Sequence, residues 1–566
     1  MLSTFHPPLT AAEDGLDLAL SYELARSSAL RAEGYPPPYY VGLAAADVSQ
    51  SETTCVMGRM RYRGQRRQRI VTPDVRVGSP EMDNHPVGMP SDLVGRSLPF
   101  EDDLFALRHG LWRLLDLAYK AASADYLRKQ ALRVSRGKAE YDTDDFSREA
   151  PGLDRAAGRQ RHSRGRPERS ASGLDRAAGR KAGLTQPDEE PGWSQAGLER
   201  LCEEASHAFR DAPHLLHAEA STSLSRERWR LRDTEGLAVD FPRDVAEVEL
   251  EAVDIATDGL KVSANSRILA TSEEGLPSPG RVVEEALEMA ADLAALKVAV
   301  TTSPFDAPAV LDPSIVAAAV LSVGARLSGE EQRNPSGTQV FRDKLGTRVL
   351  SPMLTLVDDP TLEQFGGRPL VGTYALDNQG IPAARVALIE RGVLRGFLLS
   401  RYPVKGFPRS NGHGRRPPGF MPIGTPGNLI LSARRTVSED ELFRLLRREL
   451  KRRDKPYGLL VRKLDGFTQA QSTGRQDALR LMARLVYMVD AKTGALTLVR
   501  NLDVVCTPLV LMENILAAGD RSEVTDLVSG MPVSVVAPSL LVAGVELQRS
   551  QAKPEKPPIL PPPPVE

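Results

Sequence analysis

Six consecutive residues in the C-terminal half, Asn411-Gly412-His413-Gly414-Arg415-Arg416, join a Gly-rich loop to an amide and two cations. Asn411, Arg415 and Arg416 suit the binding of an extended peptide backbone or a carboxylate, because a guanidinium offers a planar fork of donors. The same arginines would equally serve as internal partners for acidic residues of the domain, and the sequence leaves both readings open. His413 is the lone histidine of the loop, and one imidazole makes neither a triad nor a metal site. A second pattern, His214-x-x-His217-x-Glu219, has metal-binding residue types. Helical zinc sites place two histidines one full turn apart and require a further ligand. Here the spacing is shorter and Pro213 precedes it, so a helix start or a solvated loop is expected. His109 has no second ligand four residues on and is expected to be an ordinary helix residue.

The loop closes a β-rich cassette, residues 348–416. An apolar strand stops at Asp358-Asp359-Pro360, and a turn is expected at Asp377-Asn378-Gln379-Gly380. Residues 385–390 and 393–399 face each other across Arg391-Gly392, which predicts a β-hairpin. In order along the chain stand D-D-P-T, D-x-x-G-x-P, L-I-E-x-G-V-L-x-G-F-L and N-G-x-G-R-R. This succession resembles the C-terminal half of the TldD/PmbA family, which holds zinc metallopeptidases known as modulators of DNA gyrase and their non-catalytic TldE/PmbA partners. The resemblance runs over residues 306–546, more weakly before that. It implies a two-subunit particle enclosing a cleft.

In active members of that family an H-E-x-x-x-H helix holds zinc just before the strand leading into D-D-P. Its histidines share one helix face and its Glu activates water. A cysteine near the C-terminus completes the site. In this chain Leu327-Ser328-Gly329-Glu330 resembles the stretch that follows the motif. Counting back, the resemblance sets Val320 at the first His, Leu321 at the Glu and Ala325 at the second His; a shifted gap offers Ser322, Val323 and Arg326. No histidine lies between His217 and His413, and residues 526–538 hold no cysteine. Cys506, upstream, is expected in a strand core. Valine or leucine can neither hold a metal nor accept a proton from water. No catalytic residue, metal ligand or cofactor is therefore assigned, zinc being the cofactor of active relatives only. The expected function is a non-catalytic subunit of a TldD/TldE-type assembly, binding a peptide or unfolded segment and pairing with a TldD-like subunit or a second copy. A peptidase using an unrecognised site is the alternative.

The rest of the chain sets the frame. Its 566 residues are 41% hydrophobic and 26% charged, with a net charge of −1. Such values fit a globular protein and give no general reason for a nucleic-acid or anionic-membrane partner. Three scattered cysteines, Cys55, Cys202 and Cys506, suit a reducing compartment. The first residues lack a basic stretch followed by an apolar one, so no leader is expected. The most apolar window, residues 315–323, is too short to span a bilayer and reads as a buried helix. A cytoplasmic protein is the expectation.

The expected fold class is α+β: an N-terminal domain mixing sheet and helix, then a mostly antiparallel, barrel-like β-domain. Helices are expected at 14–31, 102–132, 198–210 and 281–298, where leucines and alanines recur at helical spacing. Strands are expected at 39–47, 51–61, 68–77, 245–256 and 259–270. Residues 142–196, Arg- and Gly-rich and carrying GLDRAAGR twice, read as a disordered insertion between the two parts (1–141 and 197–304) of the first domain. Residues 305–547 form the second. Ser438-x-x-Glu441 is a capping box for a helix with one leucine stripe and one basic face. Strands follow at 458–462, 480–490, 495–500 and 534–545, then a Pro-rich tail, 548–566.

Overall fold

The computed structural model describes residues 14–85, 94–136, 143–149, 193–333, 340–469 and 478–550. The GLDRAAGR repeats and residues 551–566 of the tail lie outside them.

The first part is built on long antiparallel ribbons. Pro38–Val56 pairs with Arg59–Ser79 around Met57-Gly58, whose φ values of 49° and 76° are those of a type I′ hairpin turn. Three separate strands were expected here, and the structure corrects this to two. The polar, Arg-rich stretch from Arg59 to Gln68 does not break the ladder, because this end of the ribbon is open to solvent on both faces and the backbone pairing continues through it. His217–Asp233, Ala238–Ile255 and Lys261–Ala270 extend the sheet in antiparallel order, with His217–Asp233 docked on Pro38–Val56. His214 sits in an exposed turn, as the loop reading expects, while His217 and Glu219 open a strand, which corrects that reading for the rest of His214-x-x-His217-x-Glu219. Alternation of buried and partly exposed residues from His217 to Leu224 is the strand period that a search for helical spacing passes over.

Helices Gly15–Ser27, Leu104–Arg136, Gln195–His207 and Pro279–Val298 cover this sheet. Leu107, Leu111, Leu114 and Leu115 form the buried stripe of the longest, packed with Leu16 and Leu20 against Val41, Val71 and Val75. His109 is exposed, between the rings of Phe105 and Trp112.

In the second part, five strands close a ring. Pro532–Arg549 pairs with Asp306–Leu311, which pairs in parallel with Tyr457–Gln469; next come Leu479–Asp490 and Leu502–Cys506, and the last returns to Pro532–Arg549. Closure removes the free edges an open sheet would present. Helix Pro313–Ala325, started by Asp312 accepting a hydrogen bond from the Ile315 N–H, is buried along most of its length in the largest core. Helix Glu439–Arg452 buries Leu442, Leu446 and Leu450 and leaves its arginines outside, with the Ser438 hydroxyl accepting from Glu441 N–H.

The cassette grows from this ring. Asn428–Ala433 pairs in parallel with Pro532–Arg549, Leu354–Asp358 adds to it, and Val386–Glu390 adds to that. The hairpin turn falls at Arg391-Gly392, with φ of 48° and 79°. Among the described residues no helix is long and apolar enough to cross a membrane.

Candidate functional site

The loop 411–416 is pinned from both sides by groups whose spacing the turn residues dictate. Asp377, 1% exposed, accepts hydrogen bonds from the N–H groups of Gln379 and Ile381 through Oδ1 and from Gly414 N–H through Oδ2, each at 2.9 Å. The turn read from Asp377-Asn378-Gln379-Gly380 is thus an Asx turn whose second oxygen holds the loop. Burial pushes this carboxyl up to about 6, against those three donors and the nearby His413. Asn378 mirrors the arrangement: its N–H donates to Gly414 O, and its Oδ1 accepts from Arg416 N–H at 3.0 Å.

Asp358 ends its strand fully buried, accepting from Gly427 N–H at 2.9 Å and Asn428 N–H at 3.1 Å. His413 is equally buried: Nδ1 lies 3.1 Å from Asn411 O and 3.0 Å from Asn411 Oδ1, and Nε2 is 3.5 Å from Asp358 Oδ1. Glu330 is a third interior carboxylate. It accepts from the Ser328 hydroxyl at 2.7 Å, from Gly424 N–H at 2.8 Å and from the Ser400 hydroxyl, and burial raises its pKa. All three tie the cassette together.

The three residues singled out in the loop separate here. Asn411 spends its amide on the backbone, accepting from Leu399 N–H at 2.8 Å and donating to Phe397 O at 2.8 Å. Arg416 is half-buried at a cavity of ≈ 40 Å³, and its Nε has no hydrogen-bond partner among the described residues. Arg415, 4% exposed, lays its guanidinium 4.1 Å from the Tyr374 ring centroid and faces a larger cavity of ≈ 330 Å³. Tyr374 in turn donates to Gly412 O at 2.8 Å. Sequence reading missed Tyr374, 41 positions before Arg415, because no local pattern links an aromatic to a cation over that distance.

The positions that the resemblance sets at the zinc motif lie along the helix Pro313–Ala325 and its end. Val320 and Leu321 are each 2% exposed and lie in the main hydrophobic core. Ala325 ends the helix, and Ser322 and Arg326 are the partly exposed alternatives. None of Val320, Leu321 and Ala325 can donate to a metal, and the hydrocarbon around them offers none. At the expected cysteine stretch, Asp526 accepts from the Ser534 hydroxyl at 2.7 Å and pairs with Arg368 at 2.6 Å. Zinc does not fit there. Cys506 ends its strand at the edge of the core, and burial pushes its thiol up to about 12. Among the described residues one trio could supply metal ligands, His217, Glu219 and Glu251. It lies on the N-terminal sheet, and Glu219 is already paired with Arg61 at 2.7 Å.

Comparison with known proteins places this architecture. Residues 304–549 match the model of the PmbA/TldA metallopeptidase C-terminal domain. A metalloprotease of Methanothermobacter thermautotrophicus is 34% identical over 112 residues, 20% of this chain and 23% of that protein. A TldD homologue of Haemophilus influenzae, named a metalloprotease, is 34% identical over 124 residues, 21% and 24% of the two chains. These matches span about a quarter of the relatives' length. Among solved structures, a putative modulator of DNA gyrase from Thermotoga maritima superposes with a TM-score of 0.59 at 15% identity, over 94% of this chain and 99% of the other. TldE from Thermococcus kodakarensis gives 0.59 at 13% identity over the same shares. The fold is common to this chain and these two solved structures.

Proposed function

We propose that this chain, whose residues 304–549 match the PmbA/TldA metallopeptidase C-terminal domain, is a TldD/PmbA-family protein acting as a non-catalytic subunit of a TldD/TldE-type protease assembly, binding peptide or unfolded protein segments. One observation carries the reading: the helix that would present zinc ligands and a general base offers Val320, Leu321 and Ala325, the first two sealed in the core. Metal-assisted hydrolysis needs an open coordination position and a base within reach of water, and a buried aliphatic helix supplies neither.

The partner in this proposal is a TldD-like subunit or a second copy of the chain, in the cytoplasm, with no role for nucleic acid or membrane. The loop residues Asn411, Arg415 and Arg416 remain the proposed ligand-binding group. Asn411 shapes the loop through its backbone bonds and the two arginines present their free guanidinium nitrogens. The test is hydrolysis of an unstructured polypeptide by the purified full chain, alone and mixed with a TldD-like subunit. The proposal expects no cleavage by the chain alone and altered cleavage in the mixture. Chelator-sensitive cleavage by the chain alone would overturn it.

A further inference from the structure

Between the N-terminal sheet and the cassette lies the cavity of ≈ 330 Å³ that Arg415 faces. Its volume is that of a small ligand pocket. Pro242, Thr271 and Ala375, all exposed, form its rim, and Phe241, Val371 and Leu376 supply apolar wall. One charge in it is not neutralised by a hydrogen-bonded partner. Arg415 Nη1 is buried and has no hydrogen-bond partner among the described residues. Asp358 and Asp377 act on it through charge alone, because their oxygens accept from backbone N–H groups and not from the guanidinium. The remaining charged residues of the wall are paired elsewhere: Arg243 Nε donates to Glu227 at 2.8 Å, and Asp244 accepts from Arg228 at 2.6 Å. Burial lowers the Arg415 pKa, which is the same desolvation cost expressed as proton affinity.

A buried cation with an idle donor is costly, and an anion that reaches it recovers that cost. We infer that this cavity is a carboxylate-binding site in which Arg415, stacked on Tyr374, takes the free C-terminal carboxylate of a peptide while the apolar wall takes its last side chain. A guanidinium binds a carboxylate through paired donors, and the Tyr374 ring fixes the guanidinium plane before the ligand arrives. The inference deepens the peptide-binding reading of the same loop and rests on it. It adds the part of the peptide recognised and the residue that recognises it.

The test is calorimetric titration of the full chain with Ala-Ala-Leu as the free acid and as its C-terminal amide, with N-acetylleucine as a third ligand. The free acid is expected to bind roughly ten- to a hundredfold more tightly than the amide, the range of a charge-assisted hydrogen bond. Arg415→Gln should erase that difference, whereas Arg395→Gln, at an exposed arginine paired with Glu390 outside the cavity, should keep it. Because Arg415→Gln risks misfolding, Ala375→Trp at the exposed rim supplies an independent check: it should block binding while leaving Arg415 in place. N-acetylleucine binding as tightly as the tripeptide would support the site and mark a small free acid as its guest. Equal affinity for acid and amide, or binding indifferent to both Arg415→Gln and Ala375→Trp, would overturn the inference. Subunit association measured in parallel separates the two readings: a chain that joins its partner but ignores the carboxylate loses only this site.

Discussion

Arg401 sets its guanidinium 3.9 Å from the ring centroid of Phe146, and Nη2 donates to Ser147 O at 2.9 Å. The same side chain pairs with Glu235 at 3.1 Å. Three distant pieces of the chain meet there: residues 143–149, the turn after His217–Asp233, and the cassette. Arg401 is 1% exposed, as is Phe146, so the contact is a closed joint between the two halves. Truncating Phe146→Ala removes a buried ring and its cation–π partner, and should lower stability by about 3–5 kcal/mol. Denaturant unfolding of the full chain measures it; a loss under about 1 kcal/mol would show that the joint does not hold the halves together.

Backbone geometry gives a second test at Gly412. Its φ is 76°, and a Cβ there would sit 2.1 Å from the Pro382 carbonyl oxygen. Both the left-handed conformation and the close approach require glycine. Gly412→Ala should therefore cost more than about 2 kcal/mol, read as a lowered unfolding midpoint. An alanine variant of unchanged midpoint would mean that the loop has freedom to move away.

Asp377 makes a pH prediction. Its carboxyl titrates near 3.8 in the unfolded chain and at about 6 in the folded protein. Between these values the unfolded chain has released the proton that the folded protein keeps, so rising pH favours unfolding. The Asp377 contribution is thus full below about pH 4 and lost by about pH 6, amounting to about 3 kcal/mol. Asp377→Asn should flatten that part of the stability-pH curve. It should also destabilise at low pH, because one amide oxygen serves Gln379 and Ile381 and leaves an NH₂ against Gly414 N–H. A variant with the parent's pH slope would contradict the assignment.

Much of this was legible in the sequence. The hairpin at Arg391-Gly392 announces itself because both turn residues must adopt positive φ, and few residue pairs tolerate that. The leucine stripe of Leu104–Arg136 shows its buried face by periodicity alone. Ring closure does not show, since it rests on Asp306–Leu311 pairing in parallel with a strand more than 140 residues later. Nor does the division of labour among Asn411, Arg415 and Arg416. All three are polar residues in one loop, and only the fold decides that Asn411 binds backbone while Arg415 faces a cavity. Asp377 was readable as a turn residue, but its second oxygen reaches Gly414 only once the cassette has closed.

The helix Pro313–Ala325 offers a test by substitution. Restoring the carboxylate of the family motif with Leu321→Glu would bury an acid at a position 2% exposed among hydrocarbon. The expected loss is more than about 3 kcal/mol, or failure to fold, with no zinc gained. A stable variant that binds zinc would show this helix to be closer to a working metal site than its packing implies.

The most direct measurement is zinc per chain, by elemental analysis of the full-length protein purified with zinc present throughout, with its molecular mass in solution taken on the same sample. The account predicts less than stoichiometric zinc together with association into a dimer or with a TldD-like subunit. One zinc per chain, retained through dialysis and lost on mutation of His217 or His413, would contradict it.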